Sequence, residues 1–183
     1  PARERPGRPP HRAAPATATK AVADDILPQL GLRDPVMVRS GFDRPNLSFD
    51  VLTFEGKGTV DAKRGVLLGA LSDPELRPAI VYCGTRKDTD EVAGELRATG
   101  LRALAYHAGM ESNERSVVQR RFMSGGEDAV DVVVATNAFG MGVDKADVRS
   151  VWHMAIPTSV EAYYQEAGRA GRDGLPSRAV MLA

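Results

Sequence analysis

The chain has 183 residues, of which 43% are apolar and 26% are charged, and its formal net charge is zero. This balance is typical of one globular domain with a short extra segment, and it excludes a global basic surface as the means of binding a polyanion. The single cysteine, Cys83, excludes a disulfide framework and a four-cysteine zinc site within the chain, and it is interpreted as a reduced core residue. No apolar stretch is as long as a membrane span, so a cytoplasmic location without membrane contact is expected.

The first 15 residues differ in composition from the rest of the chain. Five of the twelve prolines lie within the first 15 residues, together with several arginines, and this composition predicts disorder. Apolar residues at helical spacing predict a helix over Lys20–Leu30. A strand is predicted over Val36–Arg39, and the turn-rich run Gly41–Asn46 is interpreted as a connector.

From residue 47 onward, predicted strands alternate with predicted helices. The strands are Leu47–Phe54, Arg77–Cys83, Ala103–Tyr106, Ala129–Ala135, Val148–Met154 and Ser177–Leu182. The helices are Thr59–Leu71, a helix from the Thr85 capping box to Gly100, Ser112–Met123, and a helix from the Thr158 capping box through Gln165. This alternation predicts an α/β fold of three layers, with helices on both faces of a largely parallel sheet. Such sheets bind ligands at the carboxyl ends of their strands, which points to the loops after Cys83, Tyr106, Ala135 and Met154.

The segment Gln165–Gly174 reads QEAGRAGRDG and carries Arg169 and Arg172 three residues apart. A guanidinium group is always charged, and its fork of donors matches phosphate oxygens. Three glycines are interpreted as leaving the backbone bare, so that the guanidinium groups approach a ligand closely; they are Gly168, Gly171 and Gly174. The segment therefore predicts a phosphate-binding arginine pair, with a solvated basic turn as the alternative.

The segment Ala135–Lys145 follows a continuous apolar strand and contains two glycines, Gly140 and Gly142. Bare backbone of this kind allows close approach to an anion. Thr136 is predicted to offer its hydroxyl and its backbone N–H to a phosphate. Asp144 is predicted to accept from a ribose hydroxyl or to pair with an arginine. The alternative is a glycine-rich turn.

Two further loops hold candidate contacts. His107 follows a strand and is predicted either to contact a phosphate or base, or to be a packed polar residue. Thr85 caps a helix, which leaves Arg86 and Lys87 for a phosphate. The chain contains neither a G-x-x-x-x-G-K-[ST] loop nor a D-E-x-[DH] run. By itself it is therefore not expected to hydrolyse a nucleotide.

These stretches together resemble the second RecA-like lobe of a superfamily 2 helicase, and specifically of the RecQ family of DNA helicases. The matching stretches are GFDRPNL (Gly41–Leu47), IVYCGTRKD (Ile80–Asp88), AYHAGM (Ala105–Met110), VVVATNAFGMGVDK (Val132–Lys145) and YYQEAGRAGRDGLP (Tyr163–Pro176). The resemblance covers the chain from Thr17 onward. It implies that ATP with Mg²⁺ binds mainly to a first lobe, and that closure of the two lobes moves single-stranded DNA 3′ to 5′ in repair or recombination.

The resemblance also implies roles for single residues. Arg169 and Arg172 are the implied catalytic pair that reaches the γ-phosphate across the cleft between the lobes, with Arg172 as the finger. The residues implied to bind the nucleotide cofactor are Gln165, Gly142 and Asp144. Those implied to contact single-stranded or forked DNA are Arg86, His107 and Thr136. No metal ligand is predicted.

The N-terminal region departs from the family pattern. Thr17–Thr19 resembles the end of a first-lobe motif and Gly7–Pro10 the run before it, but His11–Pro15 puts proline and charge where an apolar strand is expected. Residues 1–16 are therefore interpreted as a disordered tail or a broken end of the first lobe. Residues 17–46 are interpreted as the end of that lobe with the connector, and residues 47–183 as the C-terminal lobe. The first lobe and the family's zinc-binding region are interpreted as missing.

Three functions remain open at this point. The first is the C-terminal lobe of an ATP-dependent DNA helicase, which is inactive without its first lobe. The second is a stand-alone module that binds nucleic acid without hydrolysis. The third is the corresponding lobe of a related RNA helicase.

Overall fold

The computed structural model describes residues 24–25, 28–29, 44–126, 128–140 and 142–183. Residues 44–183 form one compact unit, and residues 1–43 belong to a separate unit. The predicted tail and the strand Val36–Arg39 lie outside the described residues. Within the predicted helix Lys20–Leu30, the residues that are described are helical.

The compact unit contains six strands and four α-helices in its described part. In chain order they are β1 (Leu47–Leu52), α1 (Thr59–Leu71), β2 (Ala79–Tyr82), α2 (Arg86–Ala98), β3 (Ala103–Tyr106), α3 (Ser112–Met123), β4 (Val132–Ala135), β5 (Ser150–His153), α4 (Val160–Ala167) and β6 (Ser177–Leu182), with a short 3₁₀ turn at Pro74–Leu76. All the elements predicted from residue 47 onward are present. Four strands are shorter than predicted, because their apolar runs continue beyond the residues that pair in the sheet.

The six strands form one sheet in the order β1-β6-β5-β2-β4-β3, and every neighbouring pair is parallel. Alternate side chains of β2 enter opposite cores, because successive residues of a strand point to opposite faces. Ile80 and Tyr82 pack with Phe122 of α3 and Ala167 of α4. Ala79 and Val81 pack on the other face with buried residues of α1 and α2, which are Leu67, Leu71, Val92, Ala93 and Leu96. The three-layer RecA-like α/β fold is therefore confirmed.

The start of α4 differs from its prediction. Thr158 is not the N-cap; the Ser159 side chain accepts a hydrogen bond from the backbone N–H of Ala162 at 3.1 Å. Serine and threonine are equally suited to this position, so the backbone path decides between adjacent candidates. The Thr85 cap of α2 is confirmed, because its hydroxyl accepts from the N–H of Asp88 at 3.1 Å.

Cys83 lies in the core just after β2 and is buried. Burial raises the pKa of its thiol to about 12, so the sulfur stays protonated near neutral pH. Its interpretation as a reduced core residue agrees with this environment. None of the helices in the described part of the chain has the length and apolarity needed to cross a membrane.

Candidate functional site

The two arginines of the QEAGRAGRDG segment lie on the loop Gly168–Pro176, called here the arginine loop, which joins α4 to β6. The N–H of Gly171 donates to Val148 at 2.9 Å and the N–H of Asp173 donates to Ala146 at 3.1 Å, both just ahead of β5. The arginine loop therefore lies at the amino ends of β5 and β6. It is therefore not one of the four loops at the carboxyl ends of strands that the sequence pattern indicated as ligand sites.

Arg169 reaches back from this loop to the glycine-rich segment after β4. Its Nη1 donates to the carbonyl of Gly140 at 2.8 Å and to that of Val143 at 3.5 Å. A Cβ placed on Gly140 would lie 2.7 Å from Nη2 of Arg169, so a side chain there would displace the guanidinium from its present position. The Nε of Arg169 is buried and has no hydrogen-bond partner among the described residues.

Arg172 is more accessible than Arg169 and forms an ion pair with Asp144. The side chain of Arg172 is 34% exposed and that of Asp144 is 84% exposed. Nη1 of Arg172 also approaches the Val143 carbonyl at 3.4 Å. The structure thus favours arginine pairing for Asp144, one of the two predicted alternatives. It leaves the Arg172 guanidinium near the surface with an acidic neighbour.

The glycines of the arginine loop were predicted to leave the backbone bare for a ligand, but two of them face other atoms of the lobe. Gly171 has φ +61°, and a Cβ there would lie 2.5 Å from Nδ2 of Asn46 and 2.7 Å from Oγ of Ser177. A Cβ on Gly168 would lie 2.7 Å from the carbonyl oxygen of Tyr164. These two glycines are therefore needed for packing inside the lobe, and they do not clear space for a ligand. Only Gly174 is open, with nothing within 4 Å of a Cβ.

Arg149, just before β5, fixes the far end of the arginine loop. Its Nη2 donates to both carboxylate oxygens of Asp173, at 2.7 and 2.6 Å, and its Nη1 donates to the carbonyl of Pro176 at 3.2 Å. These side-chain hydrogen bonds hold the pKa of the Asp173 carboxyl below its ordinary value. One nitrogen of Arg149 thus contacts both oxygens of Asp173 while the other binds the Pro176 carbonyl, so the guanidinium constrains the loop at two points.

The other residues implied to bind the nucleotide are spread over two elements. Gln165 is exposed on α4, one turn before Arg169. Gly142 has φ +78°, and its carbonyl accepts from Nε2 of Gln119 on α3 at 3.0 Å. The glycine-rich segment is thus held from two sides, by Gln119 and by Arg169.

The three residues implied to contact DNA follow three adjacent strands, because β4 lies between β2 and β3. Arg86 opens α2 after β2, His107 follows β3, and Thr136 follows β4. Arg86 and His107 meet at Gly109, where a Cβ would lie 3.0 Å from Nη1 of Arg86 and 3.2 Å from Nδ1 of His107. The Thr136 N–H donates to the Tyr106 carbonyl at 3.2 Å, which ties two of these strand ends together. The N–H is therefore not available to a phosphate as predicted, and only the hydroxyl of Thr136 remains for that contact.

His107 is more constrained than its position in a loop suggests. Its Nε2 lies 3.2 Å from both carboxylate oxygens of Asp90 on α2, and its side chain is only 12% exposed. Its Nδ1 is buried without a hydrogen-bond partner among the described residues. The ring is therefore packed, which corresponds to one of the two predicted alternatives, and it lies beside Arg86. Its contact with a phosphate or base stays a prediction.

A pocket of about 200 Å³ opens at the carboxyl ends of β2, β4 and β5, and Gly84, Thr136 and Asn137 are part of its wall. Below them His153 stacks on Tyr82, with ring centroids 5.3 Å apart, and its Nε2 lies 2.9 Å from Glu166. Burial raises the pKa of the Tyr82 hydroxyl, which donates to the Phe139 carbonyl at 3.0 Å. The described residues contain no group of three or more His, Cys, Asp or Glu side chains able to hold a metal ion.

Sequence reasoning missed the residues that hold these segments in place. The main ones are Arg44, Asn46, Gln119 and Arg149. They donate mostly to backbone carbonyls far away in the chain, and such contacts leave no spacing pattern. The stretch GFDRPNL, which contains Arg44 and Asn46, was the available signal.

Comparison with known proteins identifies the family. The family described as "Helicase conserved C-terminal domain" matches residues 62–174, which is more than half of the chain. The chain is 45% identical over 168 residues to mouse bifunctional 3′-5′ exonuclease/ATP-dependent helicase WRN. It is 43% identical over 167 residues to the ATP-dependent DNA helicase RecQ of Pasteurella multocida. Each alignment covers 91% of this chain.

The chain spans only a small part of these relatives, 12% of the mouse protein and 25% of the Pasteurella protein. Among solved structures, the Escherichia coli DEAD-box protein SrmB, crystallised with the regulator of ribonuclease activity RraA, matches with a TM-score of 0.63 and 26% identity. That match covers 73% of this chain and 75% of SrmB. The chain therefore belongs to the helicase conserved C-terminal domain family, and it is a C-terminal RecA-like lobe of the RecQ type.

Proposed function

We propose that this chain is the C-terminal motor lobe of a RecQ-like ATP-dependent DNA helicase that moves 3′ to 5′ in DNA repair or recombination. One observation carries the proposal: Arg169 and Arg172 stand on one loop, and both guanidinium groups contact the segment Gly140–Asp144. That segment continues from the strand end at Thr136. One proposed DNA contact, Thr136, therefore lies on the same short segment as two proposed nucleotide contacts, Gly142 and Asp144.

In this proposal Arg172 is the arginine finger and Arg169 supports it. ATP, when bound, would supply a phosphoanhydride that water hydrolyses, and a guanidinium near it would stabilise the negative charge that the γ-phosphate oxygens carry in the transition state. The Arg172 guanidinium is near the surface and its ion-pair partner is the exposed Asp144, so it can exchange that carboxylate for a phosphate while Nη1 stays close to the Val143 carbonyl. Arg169 has its Nη1 on the Gly140 carbonyl, so it holds the glycine-rich segment in register with the arginine loop.

The remaining proposed nucleotide contacts are Gln165, Gly142 and Asp144. Asp144 is already the counter-ion of Arg172, so a carboxylate there suits an arginine or a ribose hydroxyl better than a magnesium ion. We assign magnesium and the triphosphate mainly to a first RecA-like lobe that carries the phosphate loop. Without that lobe, the present chain is expected to be inactive.

The proposed DNA contacts are Arg86, His107 and Thr136. They follow neighbouring strands, and the hydrogen bond from the Thr136 N–H to the Tyr106 carbonyl connects two of their loops. Contacts from basic side chains and hydroxyl groups to phosphates position a strand without reading its sequence. This arrangement suits single-stranded DNA or the single-stranded arm of a fork.

The test is reconstitution of the two-lobe motor. The chain is joined to a first lobe with a phosphate loop and a D-E-x-H box, and ATP hydrolysis is measured with and without single-stranded DNA. Arg172→Ala is expected to lower kcat by about 10³-fold or more, the effect typical of an arginine finger. Arg178→Ala is the matched control, because Arg178 is an exposed arginine of β6 paired with Asp50 outside the loop. Full activity of Arg172→Ala would refute the finger assignment.

The same preparation separates the competing functions. Activation by RNA to the same extent as by DNA indicates the RNA-helicase lobe. Salt-dependent binding of single-stranded DNA to the chain, together with no hydrolysis by any two-lobe fusion, indicates a binding module. The helicase proposal requires hydrolysis that DNA stimulates.

A further inference from the structure

The residues that enter β1 contact the arginine loop directly, although more than 120 positions separate them in the chain. Nη2 of Arg44 donates to the carbonyls of Ala170 and Gly171 at 3.0 and 2.9 Å. Its Nη1 approaches the carbonyl of Gly168 at 3.3 Å. Nδ2 of Asn46 donates to the carbonyls of Gly171 and Leu175 at 2.8 and 2.9 Å.

These contacts fall at the part of the loop that directs the two arginines. Ala170 and Gly171 are the residues between Arg169 and Arg172, and their carbonyls receive three of the hydrogen bonds. The carbonyls that Arg44 contacts lie at and just beyond the C-terminal end of α4, where a cation also interacts favourably with the helix dipole. A shift of Ala170–Gly171 would move both guanidinium groups together.

The fit between Asn46 and the loop is close on both sides. Gly171 has φ +61°, and its missing Cβ is the space that the Asn46 amide occupies. The Asn46 carbonyl accepts from the N–H of Ser177 at 2.8 Å, which fixes the residue at the start of the β1–β6 pairing. Asn46 therefore links the arginine loop to the sheet through its side chain and its backbone.

We infer that Arg44 and Asn46 are positioning residues for ATP hydrolysis, which hold the arginine loop in the geometry that Arg172 needs. This inference rests on the proposed function, because it concerns the same arginine pair. Neither residue would touch the nucleotide, and each would act through the backbone on which Arg169 and Arg172 stand. The segment before β1 thereby becomes part of the catalytic apparatus of the lobe.

The test uses the two-lobe fusion described above. Asn46→Ala removes both amide hydrogen bonds, and Arg44→Lys keeps the charge but loses the donor fork. Each is expected to lower kcat of DNA-stimulated hydrolysis by about 10- to 100-fold, because misplacement of a catalytic group by about 1 Å has effects of this size. The KM for ATP and the Kd for DNA are expected to stay unchanged. Asp50→Ala is the matched control, because it breaks an exposed ion pair of β1 outside the loop.

A double-mutant cycle distinguishes positioning from a general structural effect. If Asn46 acts through Arg172, the double variant Asn46→Ala/Arg172→Ala is no slower than Arg172→Ala alone. A double variant slowed by the product of the two single effects overturns the inference. So does a normal kcat for Asn46→Ala and Arg44→Lys while Arg172→Ala is slow.

Amide hydrogen exchange of the unfused chain separates this inference from the proposed function. Faster exchange at Gly171 and Asp173 in Asn46→Ala, with an unchanged rate in the β2–β4 core, supports positioning even if Arg172→Ala leaves hydrolysis unaffected and the finger assignment fails. Unchanged exchange at both amides overturns it. Arg44→Lys provides the same measurement if Asn46→Ala does not fold.

Discussion

Replacement of Gly171 by alanine tests the packing of the arginine loop most directly. At φ +61° an L-residue costs about 1–2 kcal/mol, because its Cβ approaches the backbone. The new methyl also lies 2.5 Å from Nδ2 of Asn46, so the amide must move away. Loss of its two hydrogen bonds adds about 1 kcal/mol for each bond. Gly171→Ala is therefore expected to lower the free energy of unfolding by about 3–4 kcal/mol.

Gly174→Ala provides an internal control in the same loop. Gly174 also has a positive φ, +84°, but nothing lies within 4 Å of its Cβ position. Its replacement by alanine is expected to lower the free energy of unfolding only by the cost of an L-residue at positive φ, about 1–2 kcal/mol. The difference between the two variants, at least about 2 kcal/mol, reports the close contacts of the Gly171 Cβ position, of which Asn46 Nδ2 is the nearest and Ser177 Oγ the next.

Urea unfolding followed by circular dichroism measures both variants. With an m-value of about 2 kcal/mol/M, the midpoint of Gly171→Ala should lie about 1 M below that of Gly174→Ala. In an Asn46→Ala background the gap between the two glycine variants should narrow, because the amide is already gone and only the contacts with Ser177 and Leu175 remain. Equal midpoints in the parent background would refute the reasoning.

Three further predictions concern other parts of the lobe. Hydrogen bonds from Arg149 hold the pKa of Asp173 low, so its contribution to stability is present above about pH 3.9, its unfolded value, and is lost as the pH falls through the lower folded value. Asp173→Asn should therefore be less stable at pH 7 and lose less stability on acidification in urea titrations; parallel pH profiles would contradict this. Phe122 is fully buried, and Phe122→Ala should cost about 3–5 kcal/mol in the same assay, whereas a loss below about 1 kcal/mol would mean that the site is not core. Cys83, whose pKa burial raises to about 12, should resist iodoacetamide at pH 8 in the folded chain and react in urea, and rapid labelling of the folded chain would disprove its burial.

Much of the fold could be predicted from local pattern. The bounds of α1, β3, α3 and β6 agree with the predicted ranges, because the signals for an element are local in sequence. Apolar periodicity lies within the element and turn residues lie near its ends. The predicted helix after Thr85 is present as α2, and it buries Val92, Ala93 and Leu96 at helical spacing. The N-cap of α4 was placed one residue early, since adjacent Thr158 and Ser159 offer the same chemistry. The types of functional side chain could be recognised, but their mutual contacts could not.

The residues Arg169 and Arg172 illustrate this division. The sequence by itself determined that two permanent charges stand three residues apart on a glycine-rich turn, and the resemblance attached a role to them. Only the tertiary structure decided that they contact Gly140, Val143 and Asp144. It also showed that the neighbouring glycines make room for the lobe's own side chains.

Strand order explains why the rest required three dimensions. In the order β1-β6-β5-β2-β4-β3, the first strand lies beside the last, which brings Asn46 next to Gly171. A periodicity reports which face of an element is buried, but it carries no information about which distant segment lies beside it. The composition and local spacing of this chain therefore determined its elements and its chemistry. The pairing of β1 with β6 decided which residues hold the arginine loop in place.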